Sequence, residues 1–331
     1  KTEGVNGSCS PKDLETMLQL TYLTFTAPRR DDDAFASYKN RSKASLQNQE
    51  LNPSVAFGDS IQATVYNHHP RAIRMKADMI DQIDYDKLME MYKDRYKDAS
   101  DFTFILVGNI DIEKDKELIA EYLGALPAIN RKETFKDTKM EMRKGTYKNE
   151  FIRQQETPKA SVLVLYNGKC KYDQKNNLLM SMTSQILDLI YTEKVREDEG
   201  GTYGVYVGGN LAKYPKENAF LQIIFETAPE KKDKLMEIIF AEAANLAKNG
   251  PSEANLNKVK EYMLKKHKED LKENSYWLGN IDEYLFTGVD MMKDYENMVN
   301  SITTKDIQKF ADELLKQKNE VEVTMVSPEK K

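Results

Sequence analysis

Two distant segments of the chain repeat one pattern, a helix followed by a strand, and this repeat limits the folds that the chain can adopt. The first copy starts at Ile83 with Ile-Asp-Tyr-Asp-Lys-Leu, and the second starts at Ile302 with Ile-Thr-Thr-Lys-Asp-Ile, 219 residues later. Each start leads through apolar residues at helical spacing into a strand-like run, at 102–107 and at 321–326. A repeat on this scale predicts two copies of one domain-sized module.

Predicted helix starts recur at nearly the same separation. Pro11 opens a helix that is expected to run to Phe25, and Pro229, 218 residues later, opens one that covers 234–246. Proline is well placed there because the first turn of a helix needs no main-chain donor. A second long helix follows in each copy, at about 32–49 and about 252–271. Each copy therefore reads as a strand, helix, helix, helix, strand module.

The second copy also has a front part, residues 151–219, that the first copy lacks. It contains a continuous apolar strand at 160–166, a long helix at 173–196 that Gly200 and Gly201 end, and a strand at 202–207; another strand is expected at 220–227. Residue 1 is expected to lie already in the strand equivalent to 220–227. The predicted organisation is a truncated first domain at 1–128, a linker at 129–150 rich in charged residues, and a second domain at 151–331.

Composition and charge exclude several classes of function. The net charge is −5, and residues of both signs are interspersed, so the basic surface of a nucleic-acid-binding protein is absent. No apolar stretch approaches the roughly 18 residues that span a bilayer. We therefore expect neither nucleic acid nor a membrane among the partners of this chain.

Cysteine and histidine are too sparse to predict a metal site or a disulfide framework. Cys9 and Cys170 are the only cysteines, and the histidines are His68, His69 and His267. Hydrolytic zinc sites draw on imidazoles at defined spacing, whereas adjacent residues such as His68 and His69 point in different directions and form a poor chelating pair. The sequence predicts no metal ligands in this chain.

The most specific segment is 193–205, which reads Glu-Lys-Val-Arg-Glu-Asp-Glu-Gly-Gly-Thr-Tyr-Gly-Val. Arg196 closes the long helix, glycines turn the chain, and Tyr203 enters the next strand, seven residues after Arg196. This order can aim a guanidinium and a phenol at one pocket, and Gly204 leaves the backbone approachable. The alternative is that Arg196 pairs with Glu193 or Glu199 and that Tyr203 is half-buried packing.

The segment resembles the arginine and tyrosine pair of M16, or pitrilysin-like, metallopeptidases, in which an Arg at a helix end precedes a Tyr by seven residues across a turn that contains glycine. Arg196 and Tyr203 match this pattern. The resemblance extends over essentially the whole chain through its two-copy organisation. It implies an α+β fold of two LuxS/MPP-like modules, each a mainly antiparallel sheet packed with helices, and places them as the third and fourth of four domains.

The resemblance also implies roles for both residues. Tyr203 would donate a hydrogen bond to the oxyanion that forms at the scissile carbonyl, and Arg196 would bind main-chain carbonyl groups of a peptide substrate. The family's zinc ligands come from a His-x-x-Glu-His motif, which this sequence lacks. The chain is thus expected to be inactive alone and to work with an N-terminal, zinc-bearing half of the same polypeptide, with zinc in the full-length protein.

Two functions remain open at this stage. The chain is either the carboxy-terminal half of a zinc endopeptidase or a catalytically silent M16-like scaffold or substrate-recognition subunit. Bacterial members of the family suggest the periplasm as the compartment.

Three further features have simpler explanations than a functional site. The glycines at 200–204 lie between a helix and a strand and lack the lysine of a phosphate-binding loop. The carboxylates at 31–33 precede a helix, whose dipole they complement without calcium. Tyr276 and Trp277 are expected to be core anchors rather than residues that face a substrate chamber.

Overall fold

A computed structural model of the chain describes residues 3–134, 136–199 and 204–328, and for 195–199 it describes the backbone alone. The chain divides into two compact units. Unit 1 comprises Lys1–Gln49 and Met75–Lys136, and unit 2 comprises Glu50–Arg74 and Asp137–Lys331.

The described residues form helices and strands with these bounds, in chain order: α1 (Leu14–Thr26), α2 (Asp32–Glu50), α3 (Pro53–Val65), α4 (Ala77–Ile80), α5 (Tyr85–Tyr96), α6 (Ile112–Leu123), β1 (Thr146–Ile152), β2 (Ala160–Gly168), α7 (Gln174–Glu199), β3 (Val205–Ala212), β4 (Asn218–Thr227), α8 (Lys232–Asn249), α9 (Glu253–Asp270), α10 (Asn274–Thr287), α11 (Tyr295–Ser301), α12 (Thr304–Leu315) and β5 (Glu320–Val326). The predicted α+β class is confirmed. No described helix is both long and apolar enough to cross a lipid bilayer.

Unit 2 is built on one five-stranded sheet with the strand order β1-β5-β2-β4-β3. β1 runs parallel to β5, and every other neighbouring pair is antiparallel, so the sheet is mainly antiparallel as predicted. β2, β4 and β5 coincide closely with the strands expected from sequence. β3 lies at one edge of the sheet, which leaves one side of its backbone without a strand partner.

The main core lies between one face of this sheet and a layer of helices that includes α7, α8, α9 and α12. On α7 the residues Leu178, Met182 and Ile186, spaced four apart on one side of the helix, are all buried in this core. β2 is buried along its whole length because helices cover both of its faces. Each fully buried aliphatic side chain stabilises the fold by about 1.5–3 kcal/mol.

The opposite face of the sheet is covered by α3, which belongs to unit 2 although the repeat assigns it to the first module. Phe57 and Val65 of α3 are buried against a second apolar cluster formed by Leu163, Leu165, Val321, Val323 and Met325. Polar contacts add to this packing, since the side-chain amide of Asn149 on β1 donates to Ser60 Oγ and Thr64 Oγ1, both at 2.9 Å. A helix of the first repeat therefore completes the core of the second.

Unit 1 is helical in the part that the structure describes. Phe25 of α1 makes edge contacts with Tyr96 and Phe102, with ring centroids 5.0 and 4.9 Å apart. The strand predicted at 102–107 is wrong: the segment joins no sheet. The strand expected at the start of the chain is also wrong, because residues 3–10 are irregular. A strand needs a hydrogen-bonding neighbour, and no described segment of unit 1 provides one.

The predicted domain boundaries remain predictions. The structure shows, however, where regular elements lie in the predicted linker and in the predicted first domain. The linker predicted at 129–150 contains the first residues of β1, Thr146–Ile152. β1 escaped detection because it is a largely exposed edge strand, and three polar residues in succession at 148–150 interrupt any apolar alternation. The segment Glu50–Arg74, expected within the first domain at 1–128, packs with unit 2.

Candidate functional site

The predicted site lies where α7 ends and β3 begins. α7 runs through position 196 in its last turn and ends at Glu199, directly before the predicted stop at Gly200 and Gly201. The side chain of Arg196 and the whole of Tyr203 lie outside the described residues. Their convergence therefore stays a prediction, as does the alternative pairing of Arg196 with Glu193 or Glu199. The structure describes α7 before the turn and β3 after it.

A buried tyrosine fixes the carboxy-terminal end of α7. Tyr191, five residues before Arg196, is fully buried, and its hydroxyl donates a 2.9 Å hydrogen bond to the main-chain carbonyl of Ile239 on α8. Burial, with a smaller effect from the charge of Glu242, raises the pKa of Tyr191 well above its usual range. The hydroxyl thus stays protonated and remains a donor, and the helix end that carries Arg196 is held against α8.

α7 also packs directly on the backbone of β3. A Cβ atom at Gly209 would lie 2.3 Å from Met180 Sδ and 2.9 Å from Ser184 Oγ, so only glycine allows this approach. Val205 and Val207 point toward the helices and are buried, whereas Tyr206 between them is 58% exposed on the opposite face. This alternation is that of a strand with one face on the core. The end of α7 and the start of β3, on either side of the predicted turn, are therefore held together.

Sequence reasoning missed a third connection, between Asp188 of α7 and β3. Burial raises the pKa of Asp188, while a hydrogen bond from the main-chain N–H of Val207 opposes that shift. The signal was present in the sequence, because Asp188 is the only charged residue between Leu178 and Thr192. The carboxylate satisfies a main-chain donor on the edge strand and links α7 to β3.

Gly204, the first described residue after the turn, borders open space. It is exposed, and no heavy atom of the described residues lies within 4 Å of the position that its Cβ would take. The sheet face away from α7 continues from β4 to β3, where Tyr206 and Asn210 are exposed. Gly204 thus leaves the main chain at the entry to β3 accessible on this face.

Two of the three histidines, His69 and His267, have structural roles in the fold. The Nδ1 atom of His69 accepts the N–H of Arg71 at 3.1 Å, so its Nε2 donates to the carbonyl of Thr138 at 3.0 Å. His267 is buried, stacks on Tyr295 at 4.3 Å and bonds the hydroxyl of Tyr276 at 2.9 Å. In the described part of the chain, no group of three or more His, Cys, Asp or Glu side chains could hold a metal ion.

The remaining sequence features can be placed as well. Asp31 pairs with Arg29 at 2.6 Å and accepts the N–H of Ala34 at 2.8 Å, which is the contact expected of a carboxylate at a helix start. The expectation that Trp277 is a core anchor is wrong, since it is 39% exposed and its indole N–H donates to the carbonyl of Leu271 at 2.9 Å. Tyr276 is half-buried beside His267.

Comparison with known families now defines the class of the protein. Residues 82–263 match the model of the family described as the Peptidase M16 inactive domain, and this range contains both Arg196 and Tyr203. The match covers more than half of the chain. The chain therefore belongs to the M16 inactive-domain family, as its resemblance implied.

Individual relatives agree with this assignment. The chain is 25% identical over 293 residues to a zinc protease PQQL-like protein of Arabidopsis thaliana, a match that covers 81% of this chain and 30% of the relative. The crystal structure of the periplasmic protease PqqL from Escherichia coli superposes with a TM-score of 0.81 at 17% identity, over 96% of this chain and 35% of that one. The structure of the first half of the same protease has a TM-score of 0.75 at 15% identity, with coverages of 96% and 71%. The chain spans about a third of the length of its curated relatives.

Proposed function

We propose that this chain is the carboxy-terminal half of a zinc-dependent M16 endopeptidase and acts on peptide substrates together with an N-terminal, zinc-bearing half of the same polypeptide. The observation that carries the proposal is the family match over 82–263, which includes the Arg196 and Tyr203 positions. The Arabidopsis relative is named a zinc protease, which supports the reaction class. On this proposal, residues 1–128 and 151–331 are the third and fourth of four domains, with a linker at 129–150.

The contacts that hold α7, α8 and β3 together form a rigid frame around the turn, and such a frame suits a preorganised site. α7 is fixed to α8 through Tyr191 and to β3 through Gly209 and Asp188. Catalytic hydrogen-bond donors are effective when little reorganisation is needed as charge develops. A donor in this turn would inherit the rigidity of the frame, and Gly204 beside it leaves the main chain accessible.

The chemistry assigned to this chain is binding and charge stabilisation. Arg196 would bind main-chain carbonyl oxygens of the substrate through its planar fork of N–H donors. The phenol of Tyr203 would donate a hydrogen bond to the oxyanion that develops at the scissile carbonyl. Zinc, held by the other half, would supply an activated water.

The zinc ligands would have to come from the other half. The sequence contains three histidines and no His-x-x-Glu-His motif. Both ring nitrogens of His69 already bond main-chain groups, and His267 is engaged with Tyr276 and Tyr295. The residues present do not fit a zinc site, so no zinc-dependent step is assigned to them.

Replacement of Tyr203 by phenylalanine in the natural polypeptide that contains this chain tests the proposal. Loss of one oxyanion donor is expected to lower kcat by about 10- to 1000-fold while the thermal unfolding temperature is unchanged. Tyr206→Phe is the matched control, because Tyr206 is three residues away on the exposed sheet face and has no proposed role. Unchanged turnover in Tyr203→Phe would rule out the proposed mechanism.

A second candidate is a silent M16-like scaffold or substrate-recognition subunit. It is favoured by the description of the family as an inactive domain and by the absence of a zinc motif in these 331 residues. The metal content of the purified natural polypeptide separates the two candidates. Stoichiometric zinc with peptide hydrolysis supports the endopeptidase, whereas absence of both supports the scaffold.

For the compartment we propose the periplasm. The support is the fold shared with a structure described as a periplasmic protease of Escherichia coli. Fractionation of the native cells, with activity and immunodetection in the periplasmic extract, tests this assignment. Recovery with the cytoplasmic fraction would contradict it.

A further inference from the structure

β1 leaves one edge of the sheet of unit 2 open. It pairs with β5 on one side, and no other strand among the described residues lies against its opposite side. The main-chain carbonyl of Gly145 and the main-chain N–H of Arg153 both bond β5, at 3.1 and 3.0 Å. Because main-chain groups alternate sides along a strand, those of the even-numbered residues from 146 to 152 face the open edge. Main-chain groups at such an edge can bind another strand.

The side chains of β1 alternate between two faces of the sheet. Asn149 lies on the α3 side, where its amide donates to two hydroxyls of that helix. Lys148 and Glu150 lie on the other side: Lys148 Nζ is 2.7 Å from a carboxylate oxygen of Glu322 on β5, and Lys232 of α8 bonds Glu150 at 2.9 Å. The side chains of Lys148 and Glu150 are still 67% and 57% exposed. Two oriented, opposite charges therefore stand at the open edge.

The sequence of β1 is complementary to itself in one antiparallel register. Two copies of the strand can be related by a twofold axis at Asn149, so that the main-chain groups at the open edge form the hydrogen-bonded pairs. Lys148 of one copy then lies directly opposite Glu150 of the second copy, and the axis creates this pair twice. On the other face, Tyr147 lies opposite Phe151 of the second copy. Opposite charges and aromatic side chains in directly opposed positions stabilise an antiparallel ladder.

The neighbouring registers are unfavourable. Both strands must present outward-facing main-chain groups, so even-numbered residues have to stay opposite each other. An axis at position 148 places Lys148 opposite its own copy, and an axis at position 150 does the same for Glu150. Like charges directly opposite each other destabilise a ladder. Charges on an edge strand commonly prevent association, but those on β1 oppose the wrong registers and favour the register centred on Asn149.

We propose that β1 is a self-association site, through which two copies of the protein join their sheets into one antiparallel ladder. The occupant of the edge is a second copy because the same seven residues supply both members of each charged pair. Across the interface the charges alternate in sign: Glu322 and Lys148 of one copy are followed by Glu150 and Lys232 of the other. The ion pairs within each chain thus orient the side chains that meet between chains.

Disulfide formation tests the register. In the natural polypeptide that contains this chain, all native cysteines are replaced by serine and Asn149→Cys is introduced. The two Cα atoms at the axis would be about 4.5 Å apart, which a disulfide can span, so mild oxidation is expected to give a covalent dimer. Ile152→Cys is the matched control. Ile152 is 72% exposed, but its two copies would be about 20 Å apart and are expected to stay unlinked.

Sedimentation velocity measures the association without a cross-link. The natural polypeptide is expected to dimerise reversibly as its concentration rises. Glu150→Lys places a lysine opposite Lys148 at both symmetric positions and is expected to raise the dissociation constant by about tenfold or more. Glu237→Lys on the exposed side of α8 makes the same charge change and is expected to leave the dissociation constant as it is. Neither variant is expected to shift the thermal unfolding temperature much, because exposed ion pairs contribute little to stability.

Contrary results are distinct for each alternative. A polypeptide that stays monomeric at every concentration would overturn the proposal, and so would a dimer that ignores Glu150→Lys and does not cross-link at residue 149. Equal cross-linking at residues 149 and 152 would indicate random collision. Protection of residue 149 from a maleimide by added peptide, in a monomeric protein, would assign the edge to peptide binding and also overturn the proposal. Loss of turnover in Tyr203→Phe bears only on catalysis, so the two proposals can fail separately.

Discussion

The hydroxyl of Tyr191 on α7 and the main-chain carbonyl of Ile239 on α8 form a 2.9 Å hydrogen bond in the core of unit 2. Tyr191→Phe removes the donor and is expected to lower the free energy of unfolding by about 1–2 kcal/mol. Urea unfolding followed by the fluorescence of Trp277, the single tryptophan, measures the change. The m-value is expected to stay constant.

Tyr206→Phe is the control for this measurement. Tyr206 is exposed on β3, so removal of its hydroxyl is expected to change stability by less than about 0.5 kcal/mol. Equal stability of Tyr191→Phe and the parent chain would show that the buried hydroxyl does not hold α7 against α8.

Gly209 provides a second test of the frame around the predicted site. Its Cβ would lie 2.3 Å from Met180 Sδ, so Gly209→Ala forces α7 and β3 apart or moves the methionine. Overpacking of this kind is expected to cost about 1–3 kcal/mol in the same urea experiment. Gly58→Ala on α3 is the control, because its Cβ would meet no heavy atom within 4 Å and alanine favours the helix, so stability should rise by about 0.5–1 kcal/mol.

The sequence was sufficient to predict the elements whose burial is continuous or periodic. β2, β4, β5, α7 and α12 show such patterns, because each is buried along one face or along its whole length. The capping box of α12 at Thr303 and Asp306 agrees with the helix predicted from the motif at Ile302. Local chemistry therefore determines the individual elements of unit 2.

Pairing between distant elements could not be predicted in the same way. The apolar stripe of α3 shows that the helix needs a partner, but nothing local shows that the partner is the sheet of the other module. For the same reason Tyr276 and Trp277 read as core anchors in the sequence, although Trp277 is 39% exposed. The candidate site shows the same limit, since Asp188 stands out in the sequence as a lone charge in an apolar stretch, but nothing local shows that its partner is Val207 on β3.

Acid stability depends in part on Asp306. Burial alone would raise its pKa, but hydrogen bonds from Lys175 at 2.8 Å and from Thr303 Oγ1 at 2.6 Å hold the pKa at about 2. Because the folded pKa is below the ordinary value near 4, the stabilising contribution of Asp306 is complete above pH of about 5 and is lost as the pH falls toward 2.

Asp306→Asn is therefore expected to lower the thermal unfolding temperature at pH 7, and the difference from the parent chain should shrink between pH 5 and 2. Circular dichroism melts across this range measure it. Asp282→Asn on the exposed surface of α10 is the control and should melt with the parent chain. A difference that stays constant with pH would show that the charge of Asp306 is not responsible.

Arg196 separates substrate binding from catalysis if the proposed roles are correct. Arg196→Ala in the natural polypeptide removes a charged hydrogen-bond donor to substrate, whose loss costs about 1.5–3 kcal/mol, and is expected to raise KM for a peptide substrate by about 10- to 100-fold. Tyr203→Phe is expected to lower kcat with little change in KM, because its hydrogen bond forms to the developing oxyanion. Arg196→Lys should recover only part of the affinity, since an ammonium cannot present two parallel N–H groups to main-chain carbonyl oxygens.

The competing explanation for Arg196 is an ion pair with Glu193 or Glu199 that fixes the end of α7. In that case Glu193→Gln and Glu199→Gln together should reproduce the effect of Arg196→Ala, and all three changes should act on the unfolding temperature rather than on KM. Exposed helical ion pairs contribute only about 0.3–0.5 kcal/mol, so a purely structural role predicts a small effect. A large rise in KM for Arg196→Ala, with the double glutamine variant at parental KM, can come only from a guanidinium that contacts the substrate.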